Sequence, residues 1–153
     1  RDGFDFNMTV GHIEISHGYS CLYPQEINAH LGYYVPTIYI LKDLQKGTCL
    51  YEVALRHEKT HMQIYIEALD YFLPEFKKAA VGQFDRIGVR VVGPGESADD
   101  AARELNEAYL NDMKEKVEHW RREVEQEQMK FDTPQNYILE SKLCEGKDKP
   151  ASE

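Results

Sequence analysis

At 153 residues, with 42% apolar and 11% aromatic content, the chain holds enough for one ordinary globular domain and little for a second. A formal net charge of −9 argues against a nucleic-acid-binding surface, which needs clustered Lys and Arg; the pairs Lys77-Lys78 and Arg121-Arg122 read as solvated helix faces. No apolar run approaches the ~20 residues that a transmembrane segment needs.

The first third reads as strands. Thr9 to Ser16 alternates through Val10, His12, Ile13 and Ile15, and Tyr33 to Leu41 has the β-branched and aromatic content of a second strand. Pro36 puts that second strand at an edge or near its own start. His12 and His17, with Gly11 and Gly18 beside them, read as surface histidines rather than cleft residues. Asn7-Met8-Thr9 fits a glycosylation sequon, relevant only to a secreted eukaryotic protein.

After Gly47 a helix is expected to open on Thr48 as N-cap and run to about Phe72. Pro74 then ends it or starts a short continuation through Ala80. Ile87 to Val92 reads as a short strand and Gly93-Pro94-Gly95 as a turn. Ser97 and the acidic Asp99-Asp100 open a long helix from about Ala98 to Lys130. Its apolar stripe is Ala102, Leu105, Tyr109, Met113, Val117, Trp120, Val124 and Phe131, with Trp120 a core residue. The tail, 145–153, has a disordered composition and leaves 1–144 as a single domain.

Within the first helix stands His57-Glu58-Lys59-Thr60-His61, an HExxH motif. Residues four apart lie one turn apart on one helix face, so both imidazoles can reach one ion. Two neutral imidazoles suit Zn2+, and Glu58, about 100° round the helix from His57, can serve as general base toward a water. The flanks, Cys49 to Leu55 and Ile64 to Leu69, lack Gly and Pro and carry apolar residues at helical spacing. The competing reading is a pair of half-buried histidines satisfied by hydrogen bonds.

Tyr39-Ile40-Leu41 followed by Leu55 to His61 resembles the zincin arrangement, an edge strand before an HExxH helix. Phe131-Asp132-Thr133-Pro134 and Tyr137, after a long charged helix, are similar to uncharacterised secreted zinc-protease-like domains of bacteria. The resemblance implies a zinc-dependent peptidase with His57 and His61 as ligands and Glu58 as catalytic base. In such a site Glu58 takes a proton from the attacking water and returns it to the leaving amine. An oxyanion needs a further donor, for which Tyr137 is the candidate, with core packing its alternative role.

The motif departs from the metzincin continuation HExxHxxGxxH, since Ile64 stands at the glycine and Glu67 at the third histidine. On a continuing helix Glu67 points about 80° away from His57 and about 120° from His61, a poor third ligand. Asn106-Glu107 only superficially echoes the gluzincin pattern, and Glu107 lies away from the apolar stripe. If the two helices pack antiparallel, the histidines face residues between about 112 and 127. In that window Glu123 or Glu127 is the expected third ligand; Asp112 flanks the stripe and His119 lies off it.

Cys21, Cys49 and Cys144 allow three single pairings; the favoured one is Cys49–Cys144, which would pin the C-terminal segment to the start of the motif helix. The chain opens with Arg1-Asp2-Gly3 rather than Met, as expected of a processed or trimmed N-terminus, which says nothing about export; it is the resemblance to secreted domains that implies a secreted or periplasmic protein. The expected architecture is α+β, a small antiparallel sheet packed on the HExxH helix and a second long antiparallel helix. The expected function is peptide-bond hydrolysis on a peptide or protein substrate. The alternatives are an amidase acting on a non-peptide substrate and a non-catalytic interaction module with a structural or vestigial metal site.

Overall fold

The computed structural model describes residues 2–147, and most of the tail expected to be disordered, 145–153, lies outside them. β1 (Asp2–Ser16) and β2 (Tyr19–Tyr33) form a long antiparallel hairpin. Its turn is His17-Gly18, with φ of 51° and 80°. A two-residue turn with both φ positive matches the right-handed twist of the strands it joins. Gln25 is squeezed out of the ladder, because Thr9 pairs with Glu26 and Val10 with Pro24. That bulge accommodates Pro24, which has no N–H to donate. β3 (Arg90–Val92) pairs antiparallel with Ser20–Leu22 and completes a sheet ordered β1-β2-β3.

Three helices complete the fold: α1 (Cys49–Arg86), α2 (Ala98–Phe131) and α3 (Pro134–Lys142). Thr48 caps α1, its hydroxyl accepting from Tyr51 N–H at 3.3 Å, and Ser97 caps α2 by accepting from Asp100 N–H at 3.2 Å. α1 does not stop near Phe72; it runs through Pro74 to Arg86. α2 matches its expected span closely, and α3 was not expected at all. The second expected strand is corrected: only Tyr33 belongs to a strand, and 35–41 is irregular with Val35, Tyr39 and Leu41 exposed. β-branched residues favour a strand only where a neighbour supplies the ladder, and Pro36 cannot donate to one. The edge strand before the HExxH helix is therefore not formed at Tyr39-Ile40-Leu41.

The described residues divide into two compact units, 2–34 with 71–120 and 35–70 with 121–147, so both long helices contribute to each. In the first, Met8, Leu22 and Val92 from the three strands pack on Ala101, Leu105 and Tyr109 of α2. Phe76 of α1 meets Phe4 of β1 edge-on at 6.1 Å. Full burial of such side chains stabilises by about 1.5–3 kcal/mol each. Buried Gln83 donates to the Tyr109 carbonyl at 2.6 Å, and Tyr109 donates to the Gly88 carbonyl at 3.0 Å. Trp120 is buried, as its place on the stripe suggests.

The second unit holds residues 49–70 of α1, residues 121–131 of α2, and all of α3. A disulfide joins Cys49 to Cys144, with Cα atoms 5.6 Å apart, and Cys21 is a free thiol. Thr133 caps α3 by accepting from Asn136 N–H at 3.2 Å, and Pro134 follows at the first helical position, where a missing N–H costs nothing. No helix among the described residues is long and apolar enough to cross a membrane.

Candidate metal centre

The candidate site lies wholly in the second unit. His57 and His61 project from α1 one turn apart, with ring centroids 4.7 Å from each other. Across from them the chain leaves α2 after Phe131 and turns a corner into α3, and Asp132 sits in that corner. The corner is set by two backbone bonds, Asp132 N–H to the Gln128 carbonyl at 3.0 Å and Thr133 N–H to the Phe131 carbonyl at 2.9 Å. Because Thr133 and Pro134 start a new helix here, Asp132 is turned back toward α1.

Three ligand-type atoms converge. His57 Nε2 and His61 Nε2 are 3.0 Å apart, and Asp132 Oδ1 lies 3.1 Å from the first and 3.0 Å from the second. Ligand atoms about 2.0–2.1 Å from a tetrahedral zinc are separated by about 3.3 Å, so a small outward shift would fit the triangle to the ion. Among the described residues, His57, His61 and Asp132 are the group able to hold a metal. Exposure rises across it, from 5% for His57 through 15% for His61 to 41% for Asp132, which leaves one side open to solvent.

The other ring nitrogens point away from the triangle. His57 Nδ1 lies 2.9 Å from Glu140 Oε2 of α3, and His61 Nδ1 meets Gln128 Oε1 of α2. Both partners are acceptors, so each neutral ring carries its proton on Nδ1 and turns the lone pair of Nε2 to the centre. Two N–H groups cannot face each other at 3.0 Å, so at most one of the inward nitrogens can carry a proton, donating it to the other. A divalent cation satisfies all three inward atoms together.

Aromatic rings wall the site. His57 lies between Phe131, stacked at 4.6 Å, and Tyr137 at 5.0 Å, while Phe131 meets His61 edge-on at 5.1 Å. Tyr137 donates its hydroxyl to Asp132 Oδ1 at 2.7 Å. That bond, with help from His61, holds the Asp132 carboxyl below the usual carboxylate range although burial opposes it. The same bond, reinforced by burial and the Asp132 charge, pushes the Tyr137 phenol up to about 12. Glu58 and Glu140 add smaller electrostatic contributions in the same direction.

The structure brings together His57, His61 and Tyr137, and the carboxylate it sets beside the two rings is Asp132. Neither Glu123 nor Glu127 belongs to the cluster. Glu127 is exposed and pairs with Lys130, and the buried position beside it is Gln128. The expected window of 112 to 127 fell short because it allowed α1 to end near Pro74. With α1 continuing to Arg86, the antiparallel partners of His61 and His57 move to Gln128 and Asp132. Asp112, also weighed as a ligand, forms an ion pair with Arg86 at 2.6 Å in the first unit. His12 and His17 are exposed. The missed signal was Asp132-Thr133-Pro134, a cap followed by a first-turn proline that announces a helix and a sharp corner before it. No family model, curated protein or solved structure matches the chain.

Proposed function

We propose that this chain is a zinc-dependent hydrolase of zincin type that cleaves peptide bonds, with His57, His61 and Asp132 holding the ion and Glu58 as the base. The observation that carries the reading is the convergence of His57 Nε2, His61 Nε2 and Asp132 Oδ1 within 3.1 Å, from a motif whose intervening residue is a glutamate. Zinc bound there supplies a Lewis acid for a water and for a substrate carbonyl. Glu58 takes the proton of the attacking water; as the oxygen–carbon bond forms and the carbon–nitrogen bond breaks, it passes that proton to the leaving nitrogen. Tyr137, whose hydroxyl already faces the cluster, is the donor available to the developing oxyanion once it leaves Asp132. A third ligand from a corner rather than a helix sets the site apart from both the metzincin and the gluzincin patterns.

The first test is elemental analysis of the purified chain and of His57→Ala. About one zinc per wild-type chain, lost in the variant, is expected of a three-ligand site. Glu58→Gln is then expected to keep the metal and to lower hydrolysis of a peptide library by about 10²–10⁴-fold. Zinc uptake that survives His57→Ala would refute the ligand assignment, and an unchanged rate in Glu58→Gln would refute the base. Metal binding with no cleavage of any peptide would move the reading to an amidase or to an interaction module.

A further inference from the structure

α2 buries a stripe of apolar side chains, and at its C-terminal end that stripe is interrupted by Gln128, only 8% exposed. A buried carboxamide needs partners for both ends, and Gln128 finds both on one residue. Its Nε2 donates to the His61 backbone carbonyl at 3.1 Å. That bond fixes which way the amide lies, because a carbonyl can only accept. Oε1 is then the end turned to His61 Nδ1, and the contact exists only if Nδ1 carries the proton.

We propose that Gln128 is a positioning residue for the metal centre: by gripping the His61 carbonyl and ring together it holds the imidazole as the Nδ1–H tautomer, with Nε2 bare and aimed at Asp132 and His57. The inference rests on the metal-site reading but makes a claim that can be read without metal. A leucine or methionine would fill the stripe as well and would leave the ring free to rotate and to protonate Nε2, the form that cannot ligate. The two bonds stiffen the ring where it matters, since His61 has fewer walls than His57, which lies between two aromatic rings.

The test uses the chain labelled with ¹⁵N at histidine, observed by long-range nitrogen–proton correlation before and during addition of zinc alone. Wild type is expected to show the Nδ1–H signature at His61 without metal. Gln128→Met, matched in shape but without donor or acceptor, is expected to shift His61 toward the Nε2–H form and to weaken zinc binding by about 10–100-fold. Gln128→Glu keeps an acceptor in place and is expected to retain the Nδ1–H signature, which preserves the test if the methionine variant does not fold. An Nδ1–H signature unchanged in Gln128→Met, with zinc affinity within about two-fold of wild type, would overturn the proposal. So would loss of the signature in a folded Gln128→Glu. Wild type that takes up no zinc would sink the metal reading, while the metal-free spectra would still decide whether Gln128 sets the tautomer.

Discussion

Removing the Cys49–Cys144 bridge is expected to damage the candidate site before it damages the fold as a whole. α3 contributes no buried side chain, so hydrophobic burial does little to hold it in place. A nine-residue helix is marginal by itself. What fastens it is the Thr133 cap, the Tyr137 bond to Asp132, the Glu140 contact with His57, and the disulfide just past its end. The bridge spans 95 residues of sequence. In the chain-entropy account a loop of that size is worth at most about 4.7 kcal/mol, and removing native bridges typically costs 2–5 kcal/mol. Cys49→Ser/Cys144→Ser is therefore expected to lose about 2–5 kcal/mol in denaturant unfolding, with Cys21→Ser as a control that loses little. Hydrogen exchange followed by mass spectrometry locates the effect. Amides of residues 134–147 should lose protection first, followed by those around Asp132, while the sheet and Tyr71–Arg86 keep theirs. Protection of α3 unchanged in the double variant would refute the reasoning, because it would mean that the polar contacts alone hold the helix.

Tyr137 should ionise near pH 12. Its folded value lies above the unfolded value near 10, so its bond to Asp132 contributes fully below about pH 10 and is lost between 10 and 12. The difference in tyrosinate absorbance between wild type and Tyr137→Phe, followed while circular dichroism still reports helix, should rise near 12; a rise near 10 would remove the bond from the account. Met113→Ala, at a position with no exposure, should cost about 2–5 kcal/mol in denaturant unfolding, and a loss below about 1 kcal/mol would show that the stripe does not pack as described.

What could be read from the chain alone divides along a physical line. Local chemistry was legible: the Thr48 and Ser97 caps, the stripe of α2 from Leu105 to Val124 and the short third strand are each dictated by a few neighbouring residues. Long-range pairing was less so. β2 was missed because its turn is His17-Gly18 rather than the Asn-Gly or Asp-Gly that usually announces a hairpin, and because Pro24 disguises a strand that tolerates it at a bulge. The third candidate ligand was missed for a related reason. Its identity depends on how far α1 runs before the chain turns back, and Pro74 argues locally for a stop that the fold overrides. The Cys49–Cys144 pairing was legible because Cys49 opens the motif helix and Cys144 lies near the end of the ordered-looking chain.

The cluster joins segments that are far apart in sequence, and this bears on what a metal bound there would do to the chain. His57 and His61 come from α1 and Asp132 from the corner after α2; Gln128 on α2 and Glu140 on α3 stand behind the two rings. An ion bound by the first three ties the motif helix to the corner, as the disulfide ties its first residue to the segment after α3. Two crosslinks of different chemistry thus act on the same short helix. Each limits the motion the other must suppress, so their effects on the second unit should fall short of additive. Zinc at 100 times its dissociation constant adds about 2.7 kcal/mol to whatever must be folded to bind it. If α3 must be in place for binding, the double-serine variant will draw on that stabilisation to restore α3. Its apparent zinc affinity will fall by the same factor as the population of docked α3.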